Sequence, residues 1–237
     1  TVNSEGNVGS GLTTGQTSGG HVCLVYFDTD YQTIMYARLE GAGWLVEELE
    51  FPYYPNSYPS AIAMDKSGMP VMLTADWDYA IHYDRWNGTD WASVVLNDEN
   101  RSLCSYEMAL DGDGWPHFCL SRYNRGMEYG HFDGEAWEFE MVGGPSYYGM
   151  DIAVDKNSVP KICYVNTTTG DLCYAEKGLD GWNTIIIDEG FYYSPCLALD
   201  KDGNPHISYY DKQNASLKYA YVPGSSEDKF PLVYVLV

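Results

Sequence analysis

Apolar and polar residues alternate along the chain in short runs, and turn-forming residues end each run. Residues 196–220 are typical: LALD alternates and meets a Gly and Pro turn, HISYY alternates again, and LKYA is short and aromatic. Residues 182–188, WNTIIID, form a β-branched run. Alternation with period two and β-branched residues favour strands, and no segment keeps a helical period between caps. The pattern predicts an all-β chain.

The four-strand pattern recurs at intervals of about 45 residues. Its turn motif appears as AIAMDKSGMPVML (61–73), EMALDGDGWPHFC (107–119), DIAVDKNSVPKIC (151–163) and CLALDKDGNPHIS (196–208). A fifth, weaker copy is GLTTGQTSGGH (11–21), and FPLVYVLV (230–237) takes the place of an outer strand. Repeats of this length and strand number are typical of propeller blades. The sequence predicts a five-bladed β-propeller with four antiparallel strands per blade, one domain over residues 1–237. We expect a self-contained ring whose last blade is completed by residues 231–237; the alternative is a piece of a longer protein.

The repeats resemble the LALDxDGxPHISYYD…LKYA blades of secreted β-propeller repeat proteins of bacteria and archaea. In blade number and length the chain is also similar to five-bladed lectins of the tachylectin type. The first resemblance implies secretion, and the second, which rests on architecture, implies a sugar-binding module.

The net charge limits the classes of partner that the chain is expected to bind. The chain has 34 Asp and Glu against 13 Lys and Arg, a net charge of −21. Nucleic-acid binding needs Lys and Arg to neutralise phosphates, so no nucleic-acid partner is expected. No apolar run reaches the roughly 18 residues of a membrane helix. The acidic balance indicates a solvated, aggregation-resistant surface; the alternative is attraction of cations or basic partners.

The repeated Asp and Trp are interpreted as structural. An Asp ahead of a tight turn accepts hydrogen bonds from the turn backbone, and the twelve-residue ligand pattern of an EF-hand is absent, so no metal site is predicted. The Trp of each repeat is predicted to pack between blades. The shared residues are Asp65, Asp111, Asp155 and Asp200, with Trp44, Trp91, Trp137 and Trp182.

The cysteines are predicted to be mostly unpaired. Cys23, Cys119 and Cys163 occupy one repeat position, and equivalent positions of different blades lie beyond the roughly 7 Å Cα separation of a disulfide. Only Cys163 and Cys173, on adjacent strands of one hairpin, could bridge, and the strand register decides whether they do.

Candidate ligand residues lie just before the first strand of each repeat or at its start. They are Tyr58, Tyr147, Tyr148, Tyr192, Tyr193, Glu107 and Asp151. These segments lead from an outer strand to the next inner strand, so we expect them at one mouth of the central channel. Aromatic faces beside carboxylates suit sugar or cation recognition; the alternative is that the tyrosines pack blade against blade.

Four N-x-S/T sequons are candidate glycosylation sites, at Asn87, Asn100, Asn166 and Asn214. Three of them, Asn87, Asn166 and Asn214, fall in predicted hairpin loops, where a glycan is tolerated.

No catalytic residue and no cofactor are predicted. A glycosidase holds two carboxylates across a bond, whereas only Glu107, Asp151 and a few arginines depart from the repeat. The S-x-D-x-G-x-T-W box, the Walker loop, G-x-S-x-G and H-E-x-x-H are all absent. We expect a non-catalytic binding or adhesion propeller, extracellular or at the cell surface, with a carbohydrate or surface polymer as ligand. The alternatives are a structural component of a surface assembly and, third, a glycoside-acting enzyme.

Overall fold

The computed structural model describes residues 2, 8–17, 19–31, 33–49, 61–67, 69–78, 80–97, 103–122, 125–147, 149–221 and 234–236. These residues form twenty β-strands in five four-stranded antiparallel sheets, and no helix is found among them. In each sheet the strands lie side by side in chain order. The predicted fold class, a five-bladed β-propeller with four antiparallel strands per blade, is confirmed, and each sheet is one blade.

Blade 1 consists of β1 (Val8–Gln16), β2 (Val22–Asp28), β3 (Thr33–Glu40) and β4 (Gly43–Leu49). Blade 2 consists of β5 (Ala61–Met64), β6 (Pro70–Ala75), β7 (Ile81–Trp86) and β8 (Trp91–Asn97). Blade 3 consists of β9 (Leu103–Leu110), β10 (Pro116–Arg122), β11 (Gly126–Phe132) and β12 (Trp137–Gly143). Blade 4 consists of β13 (Met150–Val154), β14 (Pro160–Val165), β15 (Leu172–Gly178) and β16 (Gly181–Asp188). Blade 5 consists of β17 (Tyr192–Leu199), β18 (Pro205–Asp211), β19 (Ser216–Tyr221) and β20 (Tyr234–Leu236).

The chain divides into two compact units, Thr1–Ser102 and Leu103–Val237. In the first unit, blades 1 and 2 enclose a core of buried residues that includes Val25, Ile34 and Met72. In the second unit, the first strands of blades 3, 4 and 5 lie next to one another. Strand β20 pairs with β19 and is the fourth strand of blade 5.

Two cores hold the second unit together, one on each side of blade 4. Between blades 3 and 4, Met127 and Tyr129 pack with Ile152 and Ile162. Trp182 of blade 4 meets Tyr129 edge to face, with ring centroids 5.1 Å apart. For Trp182 this contact is the predicted interblade packing, whereas Trp137 contacts the rings of Phe118 and Phe132 in its own blade.

The repeated Asp closes the turn between the first and second strands, as predicted. In each of four blades one carboxylate oxygen accepts hydrogen bonds of 2.8–3.0 Å from the backbone N–H groups two and four residues further on. The third residue after the Asp is left-handed where it is described, with φ of 86° at Gly114, 59° at Ser158 and 85° at Gly203. One carboxylate oxygen is thereby used by the turn, and the other remains available for further contacts.

The cysteines whose side chains the structure describes are free, namely Cys23, Cys119, Cys163, Cys173 and Cys196. A bridge between Cys163 and Cys173, which the sequence left open, does not form. In the β14–β15 ladder Cys163 lies opposite Tyr174, and Cys173 lies opposite Tyr164. A one-residue offset directs the two side chains to opposite faces of the sheet.

Among the described residues there is no apolar helix of membrane-spanning length.

Candidate functional site

Two of the predicted ligand residues lie in a row along the first strands of the second unit. Glu107 on β9, Asp151 on β13 and Cys196 on β17 occupy one repeat position. On the second strand of each blade their partners are Cys119, Cys163 and Ser208.

Asp151 ties blade 4 to blade 5. Its Oδ2 accepts the backbone N–H of Leu197 at 2.7 Å, and its Oδ1 accepts the N–H of Ile152 at 2.8 Å. Burial raises the pKa of Asp151, and these hydrogen bonds oppose the rise. Since both oxygens are taken by backbone groups, Asp151 is held in one orientation and contributes to the fold.

Glu107 has a different environment. Its side chain is half-buried, and no hydrogen bond joins it to any other described residue. Burial, together with the nearby charge of Asp151, raises the pKa of Glu107 to about 8. At neutral pH this carboxyl is therefore mostly protonated and can donate a hydrogen bond, whereas an ordinary glutamate only accepts.

The predicted tyrosines divide between core and surface. Tyr192 is 3% exposed and meets Tyr209 edge to face, with ring centroids 5.2 Å apart. Tyr192 therefore packs in the core, which was the alternative to ligand binding for these tyrosines, because β17 already begins at this residue. Tyr193 lies beneath the ammonium of Lys212, which is 4.8 Å from its ring centroid, and Tyr147 is half-buried. Tyr58 and Tyr148 lie outside the described residues.

The sequons with described residues lie in hairpin turns. Asn87 is exposed, and its side-chain oxygen accepts both the N–H and the hydroxyl of Thr89 at 2.9 Å. Asn166 and Asn214 belong to the turns after β14 and β18, and Asn100 lies outside the described residues. Glycosylation stays a prediction.

A cavity of about 810 Å³ lies between blades 3 and 4, away from the predicted residues. Small-molecule sites usually measure about 300–1,000 Å³. Its lining includes Trp115, His117, His131, Glu138, Ser158 and Lys177. We call it the interblade cavity.

Strand register builds the wall of the interblade cavity from blade 3. His117 on β10 lies opposite His131 on β11, and His131 lies opposite Glu138 on β12. Tyr129 and Glu140 are paired two residues along the same strands. Side chains two residues apart on a strand share a face, so all five point to the side of the sheet that faces blade 4.

The two imidazoles of this wall are stacked. The ring centroids of His117 and His131 are 5.7 Å apart at an interplanar angle of 20°. Nδ1 of His117 lies 2.5 Å from the Tyr129 hydroxyl. Burial lowers the pKa of His117, so this imidazole is neutral at neutral pH. Nδ1 of His131 is buried and has no hydrogen-bond partner among the described residues.

The turn after β9 forms the end of the interblade cavity. Asp111 Oδ2 accepts the hydroxyl of Ser158 from blade 4 at 2.9 Å. Burial of Asp111 favours protonation, but the bonds from the Trp115 amide and the Ser158 hydroxyl outweigh it, and the pKa of Asp111 is lowered. This carboxylate is therefore ionised throughout the ordinary pH range.

Trp115 gives the cavity an aromatic rim. Its side chain is 40% exposed and packs edge to face on Phe132 at 5.4 Å. The β11–β12 hairpin passes beside it at Gly134, where φ is +100° and a Cβ would lie 3.3 Å from the indole. An indole held in this way presents an open face at low entropic cost, beside carboxylates and imidazoles.

The arrangement has the features of a small-molecule site. Aromatic rims with a few convergent polar groups are typical of ligand sites. Within the described ranges, no group of three or more His, Cys, Asp or Glu side chains is placed to hold a metal ion. The sequence analysis missed this site because it aligned residues along the repeat, whereas the cavity wall is formed by residues from three neighbouring strands. The two histidines of blade 3, His117 and His131, were the signal that could have found it.

Comparisons with known proteins define the fold class and no family. No family model matches the chain, and the comparison with curated proteins finds no match. The lectin BP39L from Burkholderia pseudomallei superposes with a TM-score of 0.67 at 10% identity, over 94% of this chain and 68% of that one. A mutant of Aleuria aurantia lectin in complex with alpha-methyl-L-fucoside gives 0.63 at 12% identity, over 95% and 77%. The Hadza microbial sialidase Hz136 gives 0.56 at 12% identity, over 96% and 58%. At such identities the likeness establishes the fold alone.

Proposed function

We propose that this protein is a non-catalytic carbohydrate-binding β-propeller and that the interblade cavity holds the sugar. The observation that carries the proposal is the exposed ring of Trp115 beside the carboxylates and imidazoles of blade 3. Sugar rings stack their C–H faces on indoles, and their hydroxyls bond to carboxylates and imidazoles. Two of the proteins that share the fold are lectins, which supports the same class of function. We further propose an extracellular or cell-surface location.

The test is a glycan array on the full chain, followed by titration calorimetry with the best ligand. Trp115→Ala should weaken binding at least about tenfold, since a lost aromatic anchor typically costs more than 1.4 kcal/mol. Trp77→Ala is the matched control, because Trp77 is 64% exposed and lies in the other unit, outside the cavity lining. Glycan binding that survives Trp115→Ala unchanged would move the site elsewhere, and an array without any hit would refute the function.

A glycoside-acting enzyme is the second candidate, and one observation favours it. Glu107 is an acid whose pKa is raised to about 8 beside Asp151, and pairs of carboxyl groups in different environments serve as acid and base. Against it, both oxygens of Asp151 accept backbone hydrogen bonds. Turnover of aryl glycosides that is abolished in Glu107→Gln would establish the enzyme and refute the binding proposal.

A further inference from the structure

The turn between β7 and β8 contains the one place in the chain where Asn is followed by Gly, at Asn87 and Gly88. All four residues of this turn are exposed. The last ladder pair below the turn is Trp86 and Trp91, whose ring centroids lie 5.4 Å apart. The backbone N–H of Asn87 also donates to the carbonyl of Asp90 at 3.1 Å. The turn is therefore closed at its base, and the backbone that carries the Asn87 side chain is fixed.

Three hydrogen bonds converge on the side-chain oxygen of Asn87. Its Oδ1 accepts the backbone N–H of Thr89, the hydroxyl of Thr89 and the backbone N–H of Asp90, each at 2.9 Å. Donors fixed on a carbonyl oxygen stabilise the negative charge that forms there when a nucleophile adds to the carbonyl carbon. The turn therefore favours attack on Cγ of the Asn87 side-chain amide.

The backbone nitrogen of Gly88 is the nucleophile that can close a five-membered ring on this Cγ. Within the part of the chain that the structure describes, no acceptor takes the Gly88 N–H, and none takes the N–H groups of Asn87 Nδ2. Gly88 has φ of +102°, and an added Cβ there would meet nothing within 4 Å. The attacking and the leaving nitrogen are thus free of hydrogen bonds to described residues, whereas the oxygen that takes the charge is held.

Three other described asparagines each lack one of these features. The residue after Asn166 donates its N–H to the carbonyl of Pro145 at 2.9 Å, so that nitrogen is engaged. Nδ2 of Asn214 donates to Asp211 Oδ2 at 2.8 Å, so the leaving group is engaged. Asn204 precedes a proline, which has no N–H to lose. These asparagines serve as internal references for Asn87.

From this geometry we propose that Asn87 is a self-modifying site, which converts in the folded protein to aspartate and isoaspartate through a cyclic imide with Gly88. Water is the co-reactant, and the inference is independent of the proposed carbohydrate binding. Solvent base removes the Gly88 N–H proton, the nitrogen bonds to Cγ, and Oδ1 takes the negative charge. The Cγ–Nδ2 bond then breaks, and Nδ2 takes a proton from water and leaves as ammonia.

Water opens the imide of Asn87 in one of two ways. Attack at Cγ gives aspartate, and attack at the backbone carbonyl carbon gives isoaspartate, in which the main chain runs through the side chain. The net reaction turns an amide and water into a carboxylic acid and ammonia, with no oxidation or reduction. At neutral pH the product carries one more negative charge, and the sequon at this position is lost with its nitrogen.

The experiment follows the full chain in mildly alkaline buffer, folded and, in parallel, unfolded in urea. Peptide mapping by mass spectrometry measures loss of the Asn87 amide, and enzymatic methylation detects isoaspartate, which direct hydrolysis of the amide does not form. We expect Asn87 to convert in the folded protein at least as fast as in the unfolded chain. Asn166 and Asn214 should stay intact in the folded protein. The rate should rise with pH, because the nucleophile is the deprotonated nitrogen.

Two variants test the part played by the turn. Thr89→Val removes the hydroxyl donor and keeps the backbone N–H, so conversion in the folded protein should slow about two- to tenfold, the range that one lost hydrogen bond predicts. Thr168→Val is the matched control, since Thr168 is exposed and also lies two residues after an asparagine, and it should leave the rate at Asn87 unchanged. Asn87→Gln should abolish the gain of charge. Near-ultraviolet circular dichroism checks that each variant is folded.

Three results would overturn the proposal. Slower conversion of Asn87 in the folded protein than in urea would mean that the turn protects this side chain. Aspartate without isoaspartate would exclude the imide. Equal rates in the folded Thr89→Val variant and in the unchanged protein would show that the donors on Oδ1 do not assist the reaction.

Discussion

Removing the charge of Glu107 should make the protein more stable at alkaline pH. The folded-state pKa of Glu107 is raised from 4.5 to about 8, so the native state holds this proton more tightly than the unfolded chain does. The associated stability is fully present below pH 4.5 and is lost as the pH rises through about 8. Above that pH the native state holds a desolvated carboxylate beside Asp151. Glu107→Gln keeps the size of the side chain and cannot ionise.

The magnitude follows from the difference between the two pKa values. Each pH unit between them costs at most about 1.4 kcal/mol, so the upper limit at pH 9 is about 5 kcal/mol. Solvent reaches the half-buried side chain and screens part of this cost, and we expect a gain of about 2 kcal/mol for Glu107→Gln at pH 9 relative to pH 5.

The assay is urea unfolding of both proteins at pH 5 and pH 9. Subtracting the pH 5 difference from the pH 9 difference cancels any change in packing caused by the amide. Glu135→Gln, an exposed hairpin carboxylate, should give a difference near zero. A pH-independent difference for Glu107→Gln would mean that Glu107 ionises normally, and it would remove the basis for an acid at this position.

Three further changes test the packing and the chemistry of the second unit. Gly130→Ala should lower the free energy of unfolding by about 1–3 kcal/mol, because the added Cβ would overlap the fully buried ring of Phe118. Gly43→Ala is the control, since nothing lies within 4 Å of the added Cβ there. Equal melting temperatures for the two variants would contradict the packing at Gly130. The Lys161 ammonium lies 3.8 Å from Asp155 Oδ2 and 3.7 Å from Glu176 Oε2, and Lys161→Met leaves both carboxylates without it. The free energy of unfolding measured in urea should therefore fall by about 3 kcal/mol, and an unchanged value would mean that water screens the two ion pairs. Among the five cysteines with described side chains Cys196 alone is exposed, so peptide mapping after native alkylation should find it labelled before the other four. The reaction should be slow at neutral pH because burial raises the pKa of Cys196, and equal labelling of a buried cysteine would contradict the blade assignment.

The fold was predictable because the same turn and strand signals recur in successive repeats, and each copy removes ambiguity from the others. One Asp ahead of one turn is ambiguous, but Asp65, Asp111, Asp155 and Asp200 at regular spacing determine strand number, turn position and blade count together. The same alignment predicted that equivalent cysteines stay unpaired. Register within a hairpin was not predictable, since a single residue decides whether Cys163 and Cys173 share a face.

The candidate site was less predictable for a physical reason. Tyr192 was placed in a connecting loop, but β17 begins there, and the irregular register between Tyr193 and Cys196 turns the Tyr192 ring into the core. The interblade cavity depends on pairing between residues from three strands, and its walls come from two blades. The alternation of apolar and polar residues along one strand does not show which residues of other strands and blades lie beside it. The cavity residues of blade 3 therefore could not be distinguished from other strand residues by sequence.

The variation among blades matters more for function than their shared residues. Burying an aspartate oxygen is costly unless a cation or hydrogen bonds meet it. In blade 4 the ammonium of Lys161 lies 3.8 Å from Asp155 Oδ2, and in blade 2 the guanidinium of Arg85 donates to Asp65 Oδ2 at 2.7 Å. In blade 3 the Ser158 hydroxyl donates to Asp111 Oδ2 at 2.9 Å, and Nε2 of His117 lies 3.7 Å from the same oxygen, on the wall of the interblade cavity. A ligand of the interblade cavity that binds only the folded state should stabilise the native protein, by a free energy that grows with the logarithm of the ligand concentration above its Kd. The same repeat position holds His117 in blade 3, Lys161 in blade 4 and His206 in blade 5, so the lining beside the turn varies while the hydrogen bonds that close the turn stay the same.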